Sequence, residues 1–318
     1  MEKPKKIPYA LTNFERIRTE NYLYVDKTRF IEMLEDESTV YHYLLRPHKF
    51  GKSLFLSVLE HYYDLRFKDR FKELFGDLYI GQNPTKKANS YFVLRFNFSG
   101  LGDPNDESFK LWFTSAIKSS IMDFLTEHKS EIKQVETLIP ELNRLHDVSA
   151  LMGFVFNIIL RYDKKAFVII DDYDFYVNDV TAKGCPSPAL PNREGENQYR
   201  ESNWVNSAIR SFYLSLKTGT GTVVYRILAT GVSLIILNDP ISGFNIMSDI
   251  SHYRQYNEIL GLTRTEVEWV MDQIQLDKSL ITVDMEQMYD GYLFNKNAEN
   301  KIFNSAMILN YLQELLVS

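Results

Sequence analysis

The chain of 318 residues contains a single cysteine, Cys185, so no disulfide can form within it. That excludes the stapled secreted-domain class and fits a reducing compartment. The six histidines are scattered, and none joins that cysteine at zinc-ligand spacing. Long apolar runs are lacking too. The longest, LMGFVFNIIL at 151–160, is interrupted by Asn157 and falls well short of the ~20 residues of a membrane span, so it reads as a buried helix. The opening MEKPKKIPYA has charge with no apolar core behind it, which is not the pattern of a secretory leader. Nor is there an excess of positive charge. With 36 Lys and Arg against 42 Asp and Glu, the net charge is −6, and no global basic field exists to hold nucleic acid. The expectation is a cytoplasmic protein with no membrane and no nucleic-acid partner.

What the sequence has is an ordinary globular share of apolar residues, 45%, enough for one large domain or two. Its pattern alternates. YHYLL at 41–45 is a short apolar run that stops at Arg46-Pro47. After Gly51-Lys52-Ser53, apolar residues at Leu54, Phe55, Val58, Leu59 and Tyr62 mark one face of a helix. YFVLRFNFS at 91–99 predicts a second strand, and helical patterns cover roughly 107–128 and 147–161. AFVIIDDYD at 166–174 is a third strand, continuously apolar and ending in acids, as a strand buried on both faces reads in a parallel sheet. A helix at NWVNSAIRSFYLSLK follows, then a loop at KTGTGTVV and a fourth strand at VVYRILATGVS, 223–233. Strands alternating with helices predict a doubly wound, mainly parallel α/β sheet.

Residues 181–203, rich in proline and glycine with almost no apolar periodicity, predict a flexible insertion. Beyond about 234 the pattern becomes mostly helical, with an N-cap for LTRTEVEWVMDQI at Thr263 or Thr265. This predicts a domain over 1–260 and a helical, lid-like segment over 261–318.

RPHKFGKS at 46–53 carries the chemistry. It sits between a strand and a helix, the context a phosphate-binding G-x-x-x-x-G-K-[ST] loop requires, but Arg46 stands where the first glycine belongs. A helix N-terminus offers unpaired N–H groups and the positive end of its dipole to an anion. Gly51 lets backbone approach phosphate. Lys52 is suited to the β- and γ-phosphates, and the Ser53 hydroxyl to Mg²⁺. The nucleotide-binding set is therefore Arg46, Pro47, His48, Lys49, Phe50, Gly51, Lys52, Ser53 and Leu54. Asp171 and Asp172 close the third strand, at the end where α/β sheets bind ligands. Asp171 would share Mg²⁺ with Ser53, and Asp172 would orient or deprotonate the attacking water. If the fourth strand lies between the other two, Thr230 or Ser233 would point at the γ-phosphate or its water. Each element alone has a plainer reading, as a capped surface helix, a solvated acidic strand end or a hydroxyl capping a strand. Their order along the chain favours the site. Tyr24 and Asp26 of YVDKT are either near the base or simply a helix start at Asp26 or Thr28.

The stretches NYLYVDKTRFIEML (21–34), LLRPHKFGKSLFLSVLEHYY (44–63), VIIDDYD (168–174), ILATGVS (227–233), YDGYLFN (289–295) and IFNSAMILNYL (302–312) resemble the predicted AAA-ATPase family of P-loop NTPases, in order and over about 290 residues. In that family RP-x-x-FGKS carries no leading glycine. The resemblance implies ATP over other nucleotides, Walker A and Walker B elements, and hydrolysis that moves a helical lid, a protein partner or a second copy of the chain. Family members often add a C-terminal PD-(D/E)XK nuclease domain, of which nothing is expected here. Glu127-His128-Lys129 and Glu131-Ile132-Lys133 spell acid-x-Lys in a surface-patterned helical stretch instead. The chain departs from the family at His48-Lys49, at Phe175, at LIILNDPISGF, at Asn304-Ser305, and at Asp172, where the family has Glu. One Å of misplacement at a reacting group can cost about 100-fold, so a non-hydrolysing switch is the alternative to an ATPase. Arg254 and Arg264 are candidates for an arginine finger.

Overall fold

Four of the apolar runs become the strands of one parallel sheet. The computed structural model describes residues 5–100, 108–174, 203–233, 245–277 and 291–317. The strands are β1 (Tyr41–Leu45), β2 (Phe92–Asn97), β3 (Ala166–Asp171), β4 (Val224–Gly231) and a two-residue β5 (Ser248–Asp249). Their order is β2-β3-β4-β1-β5, and every neighbouring pair is parallel. β3 is buried at every position, so its unbroken apolar run was the signature of a two-sided environment. β4 lies between β1 and β3, with Leu45 opposite Gly231 and Ile170 opposite Ala229. The ends of the phosphate-loop strand and of the acidic strand thus flank the end of LATG.

The sheet's alternation divides the core in two. Leu94, Phe96, Val168, Ile170, Ile227 and Ala229 pack with the helices α6 (Phe109–Glu127), α8 (Val148–Arg161) and α9 (Asn203–Thr220). Val93, Phe167, Ile169, Leu228 and Leu44 pack with α1 (Phe14–Thr19), α2 (Arg29–Asp36) and α3 (Lys52–Tyr63). Residues two apart share a face, so both clusters are built from the same strands. A short 3₁₀ turn over Leu65–Arg70, with α4 (Phe71–Phe75) and α5 (Tyr79–Gln82), covers the end of the second cluster. α7 (Val135–Asn143) is a further helix, carrying Pro140 inside it.

The structure departs from the sequence pattern at KTGTGTVV and again beyond residue 244. The KTGTGTVV stretch is not all loop, because α9 runs on to Thr220 and Gly219 packs against Phe156 and Val224. Beyond residue 244 the described chain is less helical than its composition predicts. Only α10 (Arg264–Gln273) and α11 (Ser305–Val317) are α-helices there. Between them, antiparallel bridges pair Tyr292 with Ile302 and Leu262 with Phe303. The turn in that ribbon is dense in asparagine, at 295, 297 and 300. Such residues bond their own backbone, as Asn295 does to Asn297 N–H, and so favour turns over helix. The expected insertion at 181–202, Cys185, Phe175 and LIILNDPISGF (234–244) lie outside the described residues. No helix among the described residues is long and apolar enough to cross a membrane.

Candidate nucleotide site

The phosphate-loop sequence turns directly into α3. Gly51 is the residue before the helix, at φ 94°, a backbone region closed to most side chains. The first helical hydrogen bond runs from Phe55 N–H to Gly51 C=O at 3.0 Å, so the N–H groups of the preceding turn have no partner inside the helix. Lys49 also has positive φ, 68°, which a lysine adopts only when its surroundings hold it. These residues line a cavity of about 340 Å³ that also takes in Lys52, Ser53, Leu54 and Asp172.

Lys52 is buried, and its Nζ donates to the carbonyls of Arg46 at 2.9 Å and Pro47 at 3.2 Å. Burial lowers its pKa, and the nearby carboxylates of Asp172, Asp174 and Asp171 oppose that shift. Asp172 is half-buried and is raised above the usual carboxylate range by burial and by Asp171, against the pull of Lys52. Its φ is 51°, so the backbone turns sharply at the strand end. Asp171 is fully buried and accepts a hydrogen bond from Thr230 Oγ1 at 2.8 Å, while Arg95 Nη2 stands 4.0 Å from its other oxygen. Thr230 is buried and turned onto Asp171 rather than into the cavity. Ser233 lies further along and contributes backbone. Its N–H and that of Val232 donate to Asp174, and its carbonyl accepts from the Tyr173 hydroxyl.

Arg46, in the place of the first glycine, faces away from the cavity. It is 1% exposed, and its guanidinium donates to the carbonyls of Leu45 (2.8 Å), Ser251 (2.9 Å) and Tyr256 (2.7 Å). It also sits 3.8 Å from the centre of the Phe294 ring. Burial brings its pKa down to about 9. Phe50 is likewise buried, edge-on to Tyr292 and Phe294. Pro47 does not line the cavity, whereas His48, Lys49 and Phe50 do.

Three cavity walls were not singled out from the residues. They are Pro8–Thr12, Ile259–Leu262 and the start of α11 at Ser305, Ala306 and Leu309. Only the last carried a signal, because IFNSAMILNYL was among the family-like stretches. Tyr24 and Lys27 line the cavity but Asp26 does not. Its carboxylate accepts from Thr28 N–H at 2.8 Å and Thr28 Oγ1 at 2.6 Å, and α2 follows directly, so the helix-start reading holds for that residue. Arg254 and Arg264 are exposed, pair with Glu299 and Glu268, and lie outside the cavity lining. Glu127 ends α6, and His128 is buried with its Nε2 2.9 Å from Asp64, so that acid-x-Lys is structural.

Ser53 Oγ and the Asp171 carboxylate are hard oxygen donors of the kind Mg²⁺ takes. Among the described residues no group of three or more His, Cys, Asp or Glu side chains could hold a metal alone.

A family model described as "Predicted AAA-ATPase" (AAA-ATPase_like) matches residues 8–240. The chain is also 26% identical over 319 residues to a protein of Azotobacter chroococcum mcd 1 that bears the name "Uncharacterized protein in vnfD 5'region". That match takes in 96% of this chain and 52% of the relative, so the chain spans about half the relative's length.

Proposed function

From the premise that the chain belongs to the AAA-ATPase-like family, we propose that it binds ATP with Mg²⁺ in the 340 Å³ cavity and hydrolyses it to drive a conformational change. The observation that carries this reading is the convergence of a helix N-terminus, the buried Lys52 and the strand-end Asp172 on one mainly apolar cavity, with Asp171, which does not line it, close enough to act on the Lys52 charge. The apolar walls at Leu11, Tyr24, Leu260 and Leu309 suit a flat base. The helix head and Lys52 suit the phosphates. Mg²⁺, when bound, would neutralise phosphate charge. Ser53 and Asp171 would hold it, and Thr230 keeps the Asp171 carboxylate in place.

The residues act in sequence. The N–H groups ahead of α3 orient the phosphates. Lys52 exchanges its carbonyl partners for phosphate oxygens and offsets the charge that develops during transfer. Asp172 orients the attacking water and accepts its proton. Its pKa, raised in the direction of neutrality, suits a base better than an ordinary aspartate's would. The sheet is read as doubly wound, with residues 261–318 as a lid-like unit whose position the nucleotide sets.

A second reading, a nucleotide switch without fast turnover, is favoured by one observation: Asp172 is a methylene shorter than the family's glutamate and sits at φ 51°. Calorimetry with ATP and Mg²⁺ on the wild type and Lys52→Ala, with phosphate release in parallel, separates the readings. Binding lost in the variant together with wild-type turnover supports the ATPase. Binding without turnover supports the switch. Absence of binding in the wild type rejects both.

A further inference from the structure

The phosphate loop is bonded, carbonyl by carbonyl, to the C-terminal part of the chain. Asn304 Nδ2 donates to His48 C=O at 3.0 Å. Lys49 C=O accepts from Ser305 Oγ at 3.1 Å and from Ala306 N–H at 3.3 Å. Phe50 C=O accepts from Gly261 N–H at 3.1 Å. Three consecutive carbonyls are thereby taken up by the C-terminal segment, which leaves the loop's N–H groups for a ligand. The middle one belongs to Lys49, the residue with φ 68°. Such a conformation persists only where neighbours over-determine it, and here the neighbours are the first residues of α11. Asn304 does two things at once. While Nδ2 holds the loop, its Oδ1 accepts from Ala306 N–H at 3.2 Å and Met307 N–H at 3.3 Å, capping α11. One buried side chain therefore joins the shape of the loop to the seating of the helix.

We propose that Asn304 is a positioning residue for phosphate binding, acting through the His48 carbonyl, and that it couples nucleotide affinity to the docking of α11. The inference rests on the ATP-binding reading and adds a route by which occupancy of the site is felt elsewhere. A bound phosphate selects the loop whose carbonyls are held by the C-terminal segment. That loop is the one on which the start of α11 is seated, so each event favours the other by the same factor. It also accounts for the missing glycine. A loop braced from outside does not need a flexible first residue, and Arg46 is free to anchor the same C-terminal region through Ser251, Tyr256 and Phe294.

Asn304→Asp separates the two jobs, because aspartate keeps the capping oxygen and loses the donor to His48. The experiment measures MgATP affinity of the full chain by calorimetry. It also follows amide hydrogen exchange over 306–312 with and without MgATP, for the wild type, Asn304→Asp, Ser305→Ala and Lys52→Ala. In the wild type, MgATP should slow exchange at the start of α11. In Asn304→Asp, affinity should fall about tenfold and the nucleotide-dependent slowing should disappear, while exchange in the β3 strand stays unchanged. Ser305→Ala, which leaves the cap intact, should lose affinity a few-fold and serves if Asn304→Asp does not fold. A wild type that binds and a Lys52→Ala that does not, with both latch variants at wild-type affinity, would overturn the coupling alone. So would exchange at 306–312 that ignores nucleotide. A wild type that binds nothing would overturn the site reading and this inference together.

Discussion

Asp172 is held against its backbone's preference. Most residues avoid φ near 51°, but aspartate and asparagine tolerate it because their short side chains bond locally. Glutamate gains reach and loses that tolerance. The shortened acid is thus matched to the turn it sits in, and Asp172→Glu should gain less turnover than its extra methylene suggests. Asp172→Asn keeps the backbone and removes the base. Phosphate release should fall by about 100-fold or more, with MgATP affinity unchanged. Loss of both would instead place Asp172 in binding. Two residues on, Asp174 receives the N–H groups of Val232 and Ser233 and lies against Gly231. A Cβ on Gly231 would stand 2.6 Å from Asp174 Oδ1 and 2.7 Å from Tyr173. Because those groups are themselves pinned, Gly231→Ala should destabilise by about 2 kcal/mol, read as a lower denaturation midpoint. At this scale the sequence was informative about identity and silent about direction. That Lys52, Ser53 and Asp172 come together at one cavity was legible from residue type and order. That Arg46 faces outward, and that Thr230 serves Asp171, depends on partners about 60 and 200 residues away along the chain, which periodicity does not carry.

Elements were legible where burial imposes a period. β1 to β4 and α3, α6 and α8 each bury a face or both, so their apolar spacing shows. α7 was missed because Pro140 breaks its pattern, and β5 because two residues have no period. α10 was visible through its cap. Thr263 Oγ1 accepts from Glu266 N–H at 3.2 Å, and the Glu266 carboxylate accepts from Thr263 N–H at 2.8 Å. The sequence could not show that the same carboxylate also receives Lys27 Nζ, at 2.6 and 2.7 Å. Lys27 is buried, and burial lowers its pKa against the pull of Glu266. Glu266→Gln keeps the capping geometry but leaves a buried ammonium without its counter-charge. It should cost about 3 kcal/mol in thermal or denaturant unfolding, and adding Lys27→Met should recover most of that loss. If the double variant is no more stable than the single one, the pair is not what ties α10 to the N-terminal segment.

Across the whole molecule, buried titratable groups set how stability responds to acid. His42, on β1, is 2% exposed and bonds Thr39 at 2.8 Å. Burial first, then the Arg226 charge, bring its pKa down to about 4 from 6.5, with Glu37 opposing. His61 is lowered as well, again chiefly by burial. Both are therefore neutral in the folded chain at pH values where an unfolded chain would protonate them. The unfolded state binds more protons between the two pKa values, so stability falls as pH drops from 6.5 toward 4 and is restored above 6.5. Asp64 acts in the same direction. Its burial favours the neutral acid, but the hydrogen bond and charge of His128, with Arg66, outweigh that and hold its pKa below the usual value. Its contribution is present above the unfolded pKa and is lost as pH falls through the folded one. The two histidines should make the fold lose stability before its carboxylates titrate, and Asp64 adds to the loss at lower pH. His42 alone should account for about 2 kcal/mol between pH 7 and pH 5, from one pKa unit being worth about 1.4 kcal/mol. Denaturant midpoints at the two pH values measure it. His42→Gln removes the titrating group, so the pH 7 to pH 5 difference should shrink by that amount even if the variant is less stable at both. An undiminished difference would assign the acid response to His61, at the far end of α3 from the phosphate loop.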